Sequence, residues 1–226
     1  MTPDEPSAPV DELLAAAYAL DSPEANRALY ARWAGTYDSG FIVDSRYRYH
    51  EQVAAVFAAH ALGRIGPDDV VVDIGCGTGL GGHAVHRHRA ITIDGVDISP
   101  EMLEQAAAKR HGGLPVYRSL IEADLTQPLD ISDGTYAAAM SVGTFTHGHV
   151  GPEALTEVLR IVRPGGRAVI GINAAHFATA GFGAALEQLA GTGRITDVRL
   201  VDAPIYEGAD MDDPDHFAHI AVLTVV

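Results

Sequence analysis

Asp73, Gly75, Gly77 and Gly79 set the first chemical constraint in this chain. They fall in the run Val70-Val71-Val72-Asp73-Ile74-Gly75-Cys76-Gly77-Thr78-Gly79. The β-branched residues at its head read as a short strand buried on both faces, and a glycine-rich turn follows at once. Glycines let such a turn be tight and let a ligand approach the backbone closely. A helix is expected next, from about Leu80 to His88, whose first N–H groups favour anionic or hydrogen-bond-accepting ligand groups. The next apolar run ends at Asp97, about 20 residues past the glycines, where a carboxylate at a strand end accepts hydrogen bonds from ribose hydroxyls. These residues point to a nucleoside-containing ligand. His147 and His149 are the best general-base candidates, because an imidazole titrating near neutrality can take a proton from a hydroxyl, ammonium or thiol.

The glycines alone leave two readings, since Gly77-Thr78-Gly79-Leu80-Gly81-Gly82 also fits the dinucleotide pattern G-x-G-x-x-G. The acid inside the strand separates them. Asp73 followed by Gly75, Gly77 and Gly79 resembles motif I of the class I S-adenosyl-L-methionine (SAM) methyltransferases. The resemblance continues in Gly95-Val96-Asp97-Ile98-Ser99-Pro100-Glu101-Met102-Leu103, in Glu122-Ala123-Asp124-Leu125 and in Leu159-Arg160-Ile161-Val162-Arg163-Pro164-Gly165-Gly166. These segments come in family order and extend from Val70 to about Asn173. Tyr30-Ala31-Arg32-Trp33-Ala34-Gly35-Thr36-Tyr37-Asp38 is similar to the Y-D-x-W-A-x-x-Y-D entrance of many small-molecule methyltransferases, with Ala31 in place of the first Asp. The chain as a whole is similar to the methyltransferase-like 27 and secondary-metabolite groups.

The resemblance implies an α/β, Rossmann-like doubly wound seven-stranded sheet with an antiparallel last strand and a helical N-terminal cap. It implies SAM as cofactor and S-adenosyl-L-homocysteine (SAH) as product. Asp73 would help hold the amino-acid end of the cofactor, with the turn residues Gly75, Cys76, Gly77, Thr78 and Gly79 around it. Asp97 and Ile98 would meet the ribose side, Met102 the adenine ring, and Asp124 the adenine amino group with Leu125 beside it. Ser141, Tyr30 and Trp33 complete the cofactor set, and Tyr37 would border the reaction centre. Methyltransferases place substrate-facing groups after the fourth strand, which here is Gly143-Thr144-Phe145-Thr146-His147-Gly148-His149-Val150. That segment lacks the N-P-P-Y or D-P-P-Y sequence of many base and glutamine methyltransferases. The expected reaction is in-line attack on the sulfonium methyl of the cofactor, for which alignment alone supplies much of the catalysis. Two rival readings are a non-catalytic SAM- or SAH-binding regulatory protein and an NAD(P)-dependent oxidoreductase. Asp73, Asp97 and Asp124 argue against the latter.

The elements that must position these residues follow from caps and periodicity. Residues 1–62 are expected to form the helical cap, with a disordered tail over 1–9, and residues 63–226 the SAM-binding core. A helix is expected from Val10 to Leu20. Ser22-Pro23-Glu24 and Ser99-Pro100-Glu101 each read as an N-cap followed by proline in the first turn. They open helices to about Ala34 and Arg110, with Lys109 and Arg110 complementing the helix dipole. Glu51 to Leu62 is a packing helix, and Tyr47 and Tyr49 stand where they could line a substrate mouth. Val116–Ile121 and Tyr136–Val142 are the third and fourth strands. Pro152 to Val162 is a helix, and Arg167–Ile172 is the fifth strand. Asn173–Phe177 and Ala180–Gly183 are expected to cover substrate, and Ala184 starts another helix. Ile195–Val201 and His219–Val226 form the final hairpin.

Composition narrows the partners. The chain has 226 residues, enough for one α/β domain with a sizeable core. Fifteen basic residues against thirty acidic ones give a net charge of −15, which disfavours nucleic acid. No apolar run is long enough to span a membrane, and the acidic, proline-containing start is unlike a secretory signal. The single Cys76 fits a reducing cytoplasm. His83, His86 and His88 do not share one helical face and lack a neighbouring carboxylate or thiol, so no metal is expected. The acidic stretch Glu207–Asp215 reads as a solvated loop. With the resemblance of Tyr30–Asp38, this composition makes a small-molecule substrate the expected partner, and a monomer or homodimer the expected state.

Overall fold

The computed structural model describes residues 16–17, 22–147 and 149–226. The expected tail over 1–9 and most of the expected helix over 10–20 lie outside the described residues, as does Gly148. Helix α1 (Pro23–Trp33) starts where the sequence signals it: the Ser22 side chain accepts from the Ala25 N–H at 3.3 Å and proline sits in the first turn. A single turn, α2 (Phe41–Asp44), leads to α3 (Tyr49–His60). Then come β1 (Val70–Ile74), α4 (Leu80–His86), β2 (Thr92–Asp97) and α5 (Pro100–Ala108). A small hairpin, β3 (Arg110–His111) with β4 (Leu114–Pro115), precedes β5 (Ser119–Glu122). The second half holds β6 (Tyr136–Phe145), α6 (Leu155–Arg160), β7 (Val162–Asn173), α7 (Ala174–Ala180), α8 (Phe182–Gly191), β8 (Ile195–Pro204) and β9 (Phe217–Val225).

The main sheet has seven strands in the order β5-β2-β1-β6-β7-β9-β8. β1 runs parallel to β2 and β6, and the parallel set extends to β5 on one side and β7 on the other. The last strand, β9, is antiparallel to both β7 and β8. The order reverses between β1 and β6, so the crevice beyond their carboxyl ends is the ligand position of such a sheet. Both faces of the sheet centre are covered, which is why β1 and the middle of β6 and β7 are buried along their length, whereas the edge strands β5 and β8 carry exposed polar residues. Val71 and Val169 enter the core on one face with Val53, Phe57 and Ile220. Val72 and Ile170 enter the core on the other with Phe145, Leu159 and Phe182. Successive residues part to opposite faces at the two-residue strand period. A third, smaller cluster of Ala17, Leu29, Trp33 and Phe41 sits over the crevice.

The structure corrects several element boundaries. α5 stops at Ala108, and Lys109 is ion-paired with Asp38 instead of serving the helix end. The chain then turns back through Gly112 (φ +58) and Gly113 (φ +84), the two-glycine turn that closes a tight hairpin. β7 begins at Val162, because Tyr136 pairs with Val162 ahead of a register shift to Ala138 and Arg167. Asn173, which ends β7, lines the cavity described below, and the rest of the segments expected as cover, Asn173–Phe177 and Ala180–Gly183, lies in and between α7 and α8, which meet at Gly181 (φ +82), with Phe182 fully buried in the core. On the edge strand β8, Asp197 takes φ +54 at a register shift between Thr196 and Arg199.

Candidate functional site

A cavity of about 190 Å3 opens at the carboxyl ends of β1 and β6 and runs under the N-terminal helices. One end is built by the β1 turn and the ends of β2 and β5. Gly75 has φ +65, and a Cβ there would overlap the Thr144 hydroxyl, so the turn both needs glycine's conformation and lies against β6. Gly77 has φ +52, and a Cβ there would meet nothing within 4 Å. The space beside this backbone is open to the cavity.

Carboxylates hold the turn. The Gly77 N–H donates to Asp97 Oδ2 at 2.8 Å, and the Ser99 N–H donates to Asp97 Oδ1 at 2.9 Å. Asp97 is half-buried and faces the cavity; desolvation by the surrounding protein pushes its carboxyl above the usual range, against the opposing pull of those N–H donors. Asp73 is 1% exposed and pins the turn to α4 and to Tyr117, with Oδ2 accepting from the Tyr117 hydroxyl at 2.7 Å and the Gly82 N–H at 3.1 Å. Burial nevertheless raises its pKa to about 7. Asp124 accepts from the Thr126 N–H and hydroxyl through one oxygen, Oδ1. Ile98, Leu125 and the fully packed Met102 supply the apolar lining between the acids. Burial pushes the Cys76 thiol well up, so Cys76 lines the cavity as a small apolar residue and not as a nucleophile.

The other end is aromatic. Tyr30, Trp33, Tyr37 and Phe41 come from α1 and the turns after it. Their rings stand 5.2–6.3 Å apart in tilted and edge contacts. Tyr47 continues the group, packing on Phe41, on His50 and on Tyr206, which follows β8. Tyr47 and Tyr206 also bridge backbone to backbone. Three residues at this end each carry a fully buried polar atom with no hydrogen-bond partner among the described residues: the Tyr49 hydroxyl, His50 Nδ1 and Asn173 Nδ2. Burial raises the Tyr49 hydroxyl pKa and lowers that of His50, so both side chains are neutral near pH 7.

His149 stands between the two ends. Its Nδ1 lies 2.8 Å from the His147 carbonyl and its Nε2 lies 3.0 Å from the Tyr30 hydroxyl. A carbonyl can only accept, so Nδ1 carries the proton and Nε2 accepts from Tyr30. Burial lowers the His149 pKa, which favours the neutral ring. The N-terminal segment is tied to the glycine turn by Asp38, which accepts from the Thr78 hydroxyl at 2.6 Å and pairs with Lys109.

The cavity thus gathers most of the expected residues: Asp73, Gly75, Cys76, Gly77 and Thr78 from the turn; Asp97, Ile98, Met102, Asp124 and Leu125 from the next two strands; and Tyr30, Trp33, Tyr37 and His149 from the cap and loop. Three lie outside its lining. Gly79 caps α4 at φ +90, and Ser141 is fully buried, donating to the Ile74 carbonyl at 2.8 Å. His147 turns away, 3.9 Å from Asp215 and beside His176. Asp38, which closes the Tyr30–Asp38 segment, and Tyr117 take their roles through partners 40 and 44 residues away, Thr78 and Asp73, and neither pairing is signalled locally. Tyr206, Asn173 and His50 are likewise brought in by the fold. Among the described residues, no three His, Cys, Asp or Glu side chains are gathered to hold a metal ion, and no helix is long and apolar enough to cross a membrane.

Comparison with known proteins supplies independent findings. A family model described as a methyltransferase domain matches residues 71–166. Methyltransferase-like protein 27 of Homo sapiens is 36% identical over 138 residues, which are 61% of this chain and 53% of that protein. The chain spans about half or less of the length of the first curated relatives it matches. Among solved structures, geranyl diphosphate C-methyltransferase from Streptomyces coelicolor A3(2) superposes with a TM-score of 0.61 at 16% identity, over 92% of this chain and 99% of that one. That structure holds Mg2+, geranyl diphosphate and SAH. A chain from the complex of the Haloferax volcanii Trm112 methyltransferase activator with its candidate methyltransferase gives a TM-score of 0.59 at 19% identity, covering 87% and 96%. At these identities the structural likeness speaks to fold.

Proposed function

We propose that this chain, whose residues 71–166 match a methyltransferase domain, is a class I SAM-dependent enzyme that transfers a methyl group from SAM to a small-molecule acceptor. The observation that carries the reading is one continuous cavity with two chemically distinct ends. A glycine turn and carboxylates lie at one end, and neutral rings at the other.

The first end fits the cofactor. The space beside Gly77 admits a ligand against the backbone, and Asp97 presents two carboxylate oxygens that each retain lone-pair capacity for ribose hydroxyls. Asp124 keeps its second oxygen for the adenine amino group, and Met102 and Ile98 supply apolar surface for the ring. Asp73 acts by holding the turn in place through Gly82 and Tyr117. When bound, SAM supplies an electrophilic sulfonium methyl. The chain's own task is to hold the acceptor atom in line with that methyl and to keep water out, which Tyr30, Trp33, Tyr37 and Phe41 do as a roof of rings. Where the acceptor loses a proton, Tyr30 and His149 are the groups that receive it: the Tyr30 hydroxyl faces the cavity and rests on a neutral imidazole nitrogen. His147, outside the lining, is not used in this scheme. Residues 1–62 serve as the cap over a 63–226 core, fastened at Asp38. The low pKa of His149 supports turnover that holds at pH values below the ordinary imidazole range. The acidic charge supports a partner other than nucleic acid, and the single buried Cys76 supports a reducing compartment such as the cytoplasm, with the chain acting as a monomer or homodimer.

Calorimetric titration with SAM, SAH and NADH tests the premise. Binding of the first two without NADH is expected, followed by label transfer from methyl-tritiated SAM to an acceptor panel. NADH binding alone would overturn the reading, and SAH binding without transfer to any acceptor would favour a regulatory binder.

A further inference from the structure

We infer that the cofactor enters and leaves through a groove at the adenine end of the cavity, and that the ion pair of Arg27 with Glu122 is the strap that governs its opening. The inference rests on the methyltransferase reading, which places adenine at Asp124, and deepens it. The groove lies between α1 and the ends of β2 and β5. Arg27, Ala28 and Ala31 form its α1 wall, and Glu101, Glu122 and Asp124 stand across from them. Pro23, Ile98, Ala123 and Asp124 line both the groove and the cavity, and all four are half-buried. The two spaces therefore adjoin at partly exposed residues and not at a packed wall. Ala28 and Ala31 present only methyl groups to the groove, which leaves it unfilled.

The fastenings of the cap differ in strength around the cavity. Beyond the C-terminal end of α1, Asp38 accepts from the Thr78 hydroxyl and pairs with Lys109; Thr78 is 2% exposed and the Lys109 side chain 17%. Over the cavity, the Tyr30 hydroxyl rests on His149 and Trp33 packs between Tyr37 and Phe41. At the groove, α1 is tied to the end of β5 by Arg27 and Glu122, whose side chains are 46% and 49% exposed. Water and salt screen such a pair, and it holds far less strongly than a shielded one. The groove is therefore the side on which the cap parts from the core at least cost, while Asp38 keeps the other end of α1 fastened. Glu122 directly precedes Ala123 and Asp124, so the strap crosses the groove beside the carboxylate that meets the adenine amino group. Neither Arg27 nor Glu122 lines the cavity, so the pair acts on passage and not on the bound cofactor.

The test measures SAH exchange. Trp33, the single tryptophan, lines the cavity, so stopped-flow fluorescence follows binding, and rapid filtration with tritiated SAH gives the same rates independently. Arg27→Gln and Glu122→Gln are each expected to raise the association and dissociation rates together by about 2- to 5-fold, the range that loss of an exposed ion pair allows, with Kd within about 2-fold. Ala28→Phe fills the groove from a residue outside the cavity lining and should slow both rates. SAH carries no net charge at neutral pH, so added salt does not act by steering; it should speed exchange in the unmodified protein and change nothing in Arg27→Gln. Unchanged rates in both charge variants, a rise in the dissociation rate alone, an equal salt response in Arg27→Gln, or an Ala28→Phe protein that exchanges SAH as fast as the unmodified one would overturn the inference. Failure of the unmodified protein to bind SAH would break the methyltransferase reading itself, and the inference with it. Normal SAH binding with any of the overturning patterns sinks the inference alone.

Discussion

The two ends of the cavity are built by opposite strategies. The cofactor end comes mainly from one stretch of chain, Asp73 to Leu125, and its carboxylates are already satisfied by nearby backbone: Asp97 by Gly77 and Ser99, Asp73 by Gly82, Asp124 by Thr126. The other end is assembled from α1 to α3, the end of β7 and the loop after β8, and the Tyr49 hydroxyl, His50 Nδ1 and Asn173 Nδ2 there have no hydrogen-bond partner among the described residues. A rigid, pre-satisfied end suits a ligand that never changes. The other end is held by ring packing across segments distant in the chain.

Breaking the first end should have the larger effect. Gly75→Ala forces a Cβ onto the Thr144 hydroxyl at positive φ. A loss of at least about 2 kcal/mol in unfolding free energy is expected from the conformational term and the overlap together. SAH affinity should fall beyond detection, and Gly75→Ala with Thr144→Ala should recover part of the stability. Unchanged stability in urea would mean that the turn is not clamped. Asp97→Ala removes a charged acceptor worth about 1.5–3 kcal/mol per hydrogen bond, so SAH binding should weaken about 100-fold in calorimetry. Equal affinity would move the ribose elsewhere.

The second end should respond in turnover and not in cofactor affinity. His149→Gln and Tyr30→Phe are each expected to lower kcat about 10-fold or more with the SAH Kd within 2-fold, as general-base assistance typically contributes 10²–10⁴. Full activity in both would leave alignment as the whole of the catalysis. In the unmodified protein the acid limb of kcat should lie below the ordinary imidazole value, since burial lowers the His149 pKa.

The finest test concerns Asp73. Its pKa of about 7 in the fold, against 3.8 when unperturbed, means that the folded state holds a proton which the unfolded chain has released. The group's contribution is fully present below the unfolded value and is lost as pH rises through about 7. Asp97 shifts in the same direction, whereas Asp69 and Glu157 are lowered, so their contributions are constant above the ordinary carboxylate range and are lost only at more acid pH. The stability difference between the unmodified protein and Asp73→Asn should therefore shrink from pH 5 to pH 8 in urea unfolding. A constant difference would place Asp73 as an ordinary carboxylate.

This contrast also explains what could be read from the residues alone. The strand-turn-helix around Asp73, the acid at Asp97 and the proline caps at Ser22 and Ser99 are local signals, and each element stands where its signal lies. Turn conformation and capping act over a few residues, so they leave a mark in the sequence. Asp38 reaching Thr78, Tyr117 reaching Asp73 and Tyr206 bridging Tyr47 depend on how distant segments dock, and no periodicity encodes them. Ser141 and His147 show the converse. Both lie near the sheet's ligand-bearing edge, yet strand alternation turns Ser141 into the core and the loop turns His147 toward Asp215. The Gly112-Gly113 pair carries a local turn signal, and a helix read as far as Arg110 leaves no room for the strand that pairs across it.

The register shift on β8 has a consequence for the molecule among its own copies. A ten-residue strand at the margin of a sheet presents a free row of backbone donors and acceptors, a template on which a second chain can zip. Asp197, at φ +54, breaks that row two residues after the strand begins, and Thr224 and Arg167 fasten its carboxylate back onto the sheet. The kink makes the margin a poor partner for another straight strand. Val198 and Leu200 can therefore stay exposed on that margin without inviting edge-to-edge aggregation.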